Sequence, residues 1–578
     1  MVRITSQVEV LPQISDLDSL FREYWDFVLE SWPPFATYLG DHRHDDRLED
    51  LSQEQYDKWT FKAEDLLRQL GRISKEALSA KDSINYDLFA RELNQRISVA
   101  RFHPNLLPLN QLGGPHIDLP QLTAFTRFST VIDYENYAKR LEAFPRQIEQ
   151  TISRLEDGVR SGILLPRVAV EAVISQIGTQ IISNPESSPL YGPAQRFPEN
   201  FSENDKNRLT GVIKNTIVER TLPSYRKLLE YLEKQYLPIS LEDVGYWALP
   251  NGDAWYRFLA QSYTSTDLTP EQIHKVGLEE LSKIREETKL IMRQVGFDGD
   301  LQAFSKYLRT EPKFQNTSAE SILSGYRQFL KDMDSRVTDL FGRIPSGKCE
   351  VKEIESFRAK EAPVAHYYQA ADDGTRPAYF YANTYKPETR LTFQMEAIAY
   401  HEAVPGHHFQ IALQQELKAL PEFRRNGGYV WPGYTAFIEG WGLYAEAIPK
   451  ELGLYKDPYS DFGRLEADAF RAARLVVDTG LHALKWTREQ AIEFLEENTA
   501  MSKEDIVVEV DRYIVLPGQA LAYKIGQLKI IELRSRAEKM LGGKFDIRMF
   551  HDELLADGAL PLDLIENKMQ QWIVRNPN

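Results

Sequence analysis

A chain of 578 residues, 42 % hydrophobic and 27 % charged, is long enough for several average domains or one large unit with a deep interior. Its 69 Lys and Arg against 85 Asp and Glu leave a formal charge of −16, a field that repels phosphate backbones and excludes nucleic acid as the expected partner. The single Cys349 rules out an intrachain disulfide framework and a cysteine-rich metal site, so any metal must be held by histidine and carboxylate.

The opening stretch MVRITSQVEVLPQISDLDSL has no apolar run of signal-peptide length, and no later segment approaches the roughly 20 apolar residues that span a bilayer. A cytoplasmic protein without membrane contact is expected. Helical patterns then dominate. LEAFPRQIEQTISRLEDGVRSG from Leu141, RTLPSYRKLLEYLEKQYL from Arg220 and TPEQIHKVGLEELSKIREETKLIMRQVG from Thr269 each repeat apolar residues at three and four. The last shows its own start, with Thr269 as N-cap, Pro270 at the first helical position and Gln272 completing a capping box. Strand signals are sparse. The best is AYFYANTY, 378–385, which follows the turn-like DDGTRP and alternates aromatic with small or polar residues. No repeat or linker marks a boundary. A helical N-terminal part over 1–250 and a catalytic part over 251–578 are expected to form one unit of two lobes.

The next segment, TFQMEAIAYHEA, reads as a helix that carries His401 and Glu402 near its end, and it runs into HEAVPGHHFQ. Pro405 cannot donate an amide to the His401 carbonyl and pushes Val404 out of the helical region. In an unbroken helix a residue six positions on is rotated by about 240°, so neither His407 nor His408 could share a metal with His401. With Pro-Gly looped out, His407 takes the place that position four holds in an H-E-x-x-H zinc helix, and Glu402 stays beside the first ligand. His408 then points about 100° away, towards a substrate or packing role. Three protein ligands and a water are a common catalytic zinc set. Glu439 in FIEGWGLYAEAI is the third candidate, and Glu446, seven residues on, is placed to hold a histidine ring by its far nitrogen.

Further along, Arg471, Arg474, Asp478 and His482 recur on one helix face, which reads equally as a buried ion-pair ladder or as a substrate wall with Asp478 and His482 orienting ligands. In YIVLPGQALAYKIG the Pro517-Gly518 turn precedes a helix whose free amides could bind a carboxylate. Tyr523 there is either a buried aromatic or the hydroxyl that stabilises a tetrahedral oxyanion. His274 is by itself a packing residue on its capped helix and is carried as a candidate for the site's surround. Asn383 and the edge of the 378–385 strand could take an extended substrate by strand addition.

Seven blocks in order resemble the domain-of-unknown-function family 885, zinc-hydrolase-like proteins with an H-E-x-x-P-G-H signature: YLGDHRHDDRLEDLS, TSTDLTPEQIHKVGLEEL, DDGTRPAYFYANTY, HEAVPGHHFQ, FIEGWGLYAE, FRAARLVVDTGLHALKWTREQAIEFL and YIVLPGQALAYKIG. The resemblance implies a mainly α, metallopeptidase-like fold with a deep central cleft, distantly similar to carboxypeptidase Taq and angiotensin-converting enzyme. A small β-sheet is expected on the cleft wall. The family pattern fixes the first histidine after Pro-Gly, His407.

The expected function is zinc-dependent hydrolysis of peptide or amide bonds, with one Zn2+ per chain on His401, His407 and Glu439, and with Glu402 and Tyr523 as catalytic groups. Its substrate would be a short peptide or an N-acyl amino acid. A non-haem iron oxygenase uses the same two-His-one-carboxylate ligands, and a metal-stabilised binding protein would keep them too. Glu402 argues against the oxygenase, because a base beside the first ligand has a job in hydrolysis and none in binding O2, whereas a binding protein would lose nothing on Glu402→Gln. Oligomeric state is not legible.

Overall fold

Capping chemistry sets where the long helices start. The Thr269 side chain accepts from the Gln272 amide, the Gln272 side chain accepts from the Thr269 amide at 2.8 Å, and helix α1 runs Pro270–Gln294 as read from the sequence. The computed structural model describes residues 12–354, 359 and 362–576. With 71 % helix and 4 % strand the protein is mainly α. The helix around Leu141 spans Val131–Ser161, longer than its apolar pattern suggests, because Thr130 and Asp133 form a capping box upstream. The Arg220 segment forms helix Leu222–Tyr231 between two π turns, Ile217–Thr221 and Leu232–Tyr236. No described helix is long and apolar enough to cross a membrane.

Apolar side chains gather into several cores. The largest joins residues 17–93 to helices between 397 and 573, while a second is built wholly within 109–236. The N-terminal helices are thus divided between a core of their own and the one beneath the histidine motif.

After helix α2 (Ala319–Asp334) comes a three-stranded sheet in the order β1-β3-β2, with β1 (Cys349–Glu353) parallel and β2 (Ala365–Tyr368) antiparallel to the central β3 (Ala378–Ala382). Alternation along β3 buries both faces. Phe380 and Ala382 pack on Ile322 and Tyr326 of α2 and on Met395 and Ala399 of α3 (Thr392–Glu402), whereas Tyr381 packs with Ile354 and Ala359.

Five more helices complete the surround: α4 (His407–Glu416), α5 (Thr435–Ala447), α6 (Pro458–His482), α7 (Lys503–Val515) and α8 (Ala522–Leu541). Helix α6 is buried along most of its length and packs on both α1 and α3. Helices α5 and α8 touch backbone to backbone. A Cβ on Gly440 would lie 2.4 Å from the Gly526 carbonyl carbon, and one on Gly526 would lie 1.8 Å from the Ala436 oxygen. Only glycine permits that approach, and it brings the start of α8, with Tyr523, alongside Glu439.

Candidate metal centre

Helix α3 stops at Glu402 and α4 starts at His407, with a cis Val404–Pro405 bond between them. The Phe409 amide donates to the Ala403 carbonyl at 3.2 Å, a step of six where an unbroken helix takes four. Two residues are therefore looped out. A Cβ on Gly406 would sit 1.9 Å from the His401 oxygen, so the loop admits glycine alone at that position. Trp441 Nε1 donates to the Pro405 carbonyl at 2.9 Å and fastens the loop to α5.

The loop-out brings the two histidines together. Their rings lie 4.6 Å apart at 85°. Glu439 Oε2 is 3.7 Å from His401 Nε2 and 3.3 Å from His407 Nε2, and the three donor atoms all lie within 4.8 Å of one another. Bonds of about 2.0–2.2 Å to a tetrahedral zinc place neighbouring donors about 3.3–3.6 Å apart, so both carboxylate–imidazole spacings suit such an ion. Glu439 Oε2 is buried without a hydrogen bond, as befits an oxygen aimed at a cation.

The electrostatics agree. Burial disfavours a charged His401 ring, yet the carboxylates of Glu439 and Glu446 outweigh it and raise its pKa to about 9. Burial likewise opposes a charged Glu439, and the two histidines reverse this and hold its carboxyl well below the usual range. A Cβ on Gly442 would meet His401 Cε1 at 2.9 Å and His407 Cε1 at 3.1 Å. This glycine, one turn after Glu439 on α5, makes room for both rings.

A network behind His401 fixes its orientation. His401 Nδ1 and Glu446 Oε1 are 2.7 Å apart, and Arg471 Nη2 lies 3.5 Å from the same oxygen. The Tyr455 hydroxyl donates to the Glu446 carbonyl at 2.7 Å, and the Tyr455 amide donates to Glu396 Oε1 at 2.9 Å. Tyr400 and Ser460 also donate to Glu396. Sequence reasoning missed Glu396, Gly442 and Tyr455. The signal for Glu396 was a carboxylate inside the apolar TFQMEAIAY, one turn before Tyr400. Glu402 is partly exposed, and its charge is felt at Cys349 of β1 and Tyr326 of α2. Tyr523 faces His401 with ring centroids 6.4 Å apart and planes at 17°.

The family described as bacterial proteins of unknown function, DUF885, matches residues 33–569. The chain belongs to that family. No curated protein matches it. Among solved structures, the "putative lipoprotein from Colwellia psychrerythraea" superposes with a TM-score of 0.93 at 28 % identity, over 98 % of this chain and 100 % of that one. The "putative lipoprotein of unknown function from Shewanella oneidensis" does so with a TM-score of 0.74 at 16 % identity, over 96 % and 99 %, and shares the fold.

Several residues read as site candidates in this DUF885 chain hold the scaffold instead. Asn383 donates to the carbonyls of Ala359, Ala362 and Pro363, and β3 is paired along both edges; neither is free for strand addition. His408 Nε2 donates to the Gly347 carbonyl at 3.0 Å, and its Nδ1 is 3.2 Å from the Tyr367 hydroxyl. Asp478 accepts from the Tyr256 hydroxyl and the Gly518 amide, so the Pro517-Gly518 turn already binds a carboxylate within the chain. His482 accepts from the Tyr246 amide and donates to the Tyr513 carbonyl, so both its ring nitrogens are engaged by backbone groups. His274 pairs with Thr479 at 2.9 Å and packs edge-on against Trp486. Arg474 donates to Tyr513 and Glu509 while lying over the Tyr523 ring.

Proposed function

We propose that this protein is a zinc-dependent hydrolase of peptide or amide bonds, acting on short peptides or N-acyl amino acids. The observation that carries the reading is the convergence of His401 Nε2, His407 Nε2 and an otherwise unbonded Glu439 oxygen on one point, with a carboxylate, Glu402, next to the first ligand. Two imidazoles and a carboxylate are a donor set that zinc takes in hydrolytic sites. Zinc held there supplies Lewis acidity towards a water and a substrate carbonyl.

The chain's own groups do the rest. Glu446, backed by Arg471, keeps His401 in the tautomer whose Nε2 lone pair faces Glu439 and His407. Glu402 takes a proton from the attacking water and passes it to the leaving amine. The Tyr523 hydroxyl accepts from Arg512 Nη2 at 3.4 Å and from Gln519 Nε2 at 3.3 Å. Its own proton stays available to the developing oxyanion.

Glu402→Gln should keep one zinc per chain by elemental analysis while losing at least about 10²-fold in kcat on a mixed peptide and acyl-amino-acid library. An active Glu402→Gln protein would overturn the mechanism, and iron in place of zinc would favour an oxygenase. The cytoplasmic expectation stands against the description of two structural neighbours as putative lipoproteins; fractionation of the native host cell decides between them.

A further inference from the structure

Around Tyr523, two arginines share a single carboxylate. Arg474 of α6 and Arg512 of α7 stand around Tyr523 and both turn to one carboxylate, Glu509. Arg474 Nη2 donates to its Oε2 at 2.9 Å, and Arg512 Nη1 lies 3.6 Å from its Oε1. Asp478, on the same helix as Arg474, is engaged by the Tyr256 hydroxyl at 2.6 Å and the Gly518 amide at 3.1 Å. A third arginine, Arg471, sits against Glu446, which already holds His401. One positive charge is therefore in surplus beside the Tyr523 hydroxyl.

Two further observations say where an anion would sit. Nη1 of Arg474 is buried with no hydrogen-bond partner among the described residues, a donor that is costly to leave unmet. Arg512 is the accessible member of the pair, with 26 % of its side chain exposed against 4 % for Arg474. Its Nη2 donates to Gln519 Oε1 at 2.9 Å and to the Tyr523 hydroxyl at 3.4 Å, which fixes the guanidinium plane while leaving other donors on that plane. A planar fork held in this way suits a carboxylate better than a point charge would. The Tyr523 ring faces the His401 ring, so the cation lies within a few extended residue lengths, at about 3.5 Å each, of the ligand cluster.

We propose that Arg512, backed by the charge of Arg474, binds the free α-carboxylate of the substrate, so that the centre acts on N-acyl amino acids and on the C-terminal end of short peptides. The proposal rests on the hydrolase reading for its meaning, but binding can be measured without turnover. The zinc-loaded full chain carrying Glu402→Gln is titrated by calorimetry with an N-acetylated dipeptide and with its C-terminal amide. The free acid should bind at least roughly tenfold tighter than the amide. Adding Arg512→Gln should bring the ratio close to unity, and Arg512→Lys should restore part of it. Adding Glu509→Gln, which removes the shared counter-charge, should raise the ratio, a gain that misfolding cannot produce. Equal affinities, no binding of the acid, or a ratio unmoved by Arg512→Gln would each overturn the proposal. Selective binding of the acid with no turnover by wild-type protein would sink the hydrolase reading alone. Equal turnover of acid and amide peptides would sink the carboxylate site alone.

Discussion

His407 and His408 are neighbours in sequence with unrelated surroundings. His407 Nε2 lies 3.3 Å from Glu439, whereas His408 joins β2 to the 347 loop through Tyr367 and Gly347. Burial pushes the His408 pKa down to about 4 and keeps its ring neutral. His407→Ala should therefore lose tightly bound zinc and activity together. His408→Ala should keep zinc but lose stability, by about 1–2 kcal/mol for the Tyr367 hydroxyl left buried without its partner, the exposed Gly347 carbonyl turning to water. Elemental analysis and thermal melts of both proteins check this, and zinc loss in His408→Ala alone would shift the register by one. His401, His407 and Glu439 were legible because metal geometry demands particular residue types at particular spacings. For Asn383, and for the choice left open at Asp478 and His482, the deciding partners are backbone groups and hydroxyls contributed by distant segments, such as the 359–363 loop or Gly518, and nothing in local spacing announces those.

Among the helices, the apolar period located α3, α5 and α6, and the Pro517-Gly518 turn marked the start of α8. The contacts that aim their side chains were not visible in that period. Gly442 and the Gly440–Gly526 approach are absences of side chain, and hydrophobic patterning is silent about them. The α5–α8 approach yields a direct expectation. In Gly526→Ala the new methyl would fall 1.8 Å from the Ala436 oxygen, and relieving it must part the two helices. Overpacking of this kind costs about 1–3 kcal/mol or more. The displacement would carry Tyr523 away from His401, so the variant should melt earlier and lose kcat more than zinc affinity. Unchanged kcat with an earlier melt would place Tyr523 outside the reaction.

For the molecule as a whole, buried titratable groups set how stability responds to pH. Burial pushes His116, His408 and His482 down to about 4 and His551 to about 3. Each binds its proton more weakly folded than unfolded, so its contribution is full above about pH 6.5 and is lost as the pH falls towards 4. Burial acts the opposite way on Glu92, Glu466 and Asp478, raising each to about 7. Their contribution is full below the ordinary carboxylate pKa and is lost as the pH rises to about 7. Half-buried Glu49, raised to about 8, adds to that side. Between about pH 4.5 and 6.5 the two sets oppose each other, each group contributing a slope of up to about 1.4 kcal/mol per pH unit. Above 6.5 the histidines no longer titrate while the acids still do, and in metal-free protein His401, raised to about 9, joins the decline. The melting temperature of the chelator-treated protein should therefore change little from pH 5 to 6.5 and fall by pH 8. Glu466 is 7 % exposed and accepts the Ala500 amide at 2.6 Å, a bond that glutamine can also accept. Glu466→Gln should accordingly melt higher than wild type at pH 8 and no higher at pH 4.5. A melting temperature that rises from pH 6.5 to 8 in the wild type would mean that these carboxyls are ionised in the folded protein and that cations sit closer to them than Ala500, Tyr256 and Gly518 do.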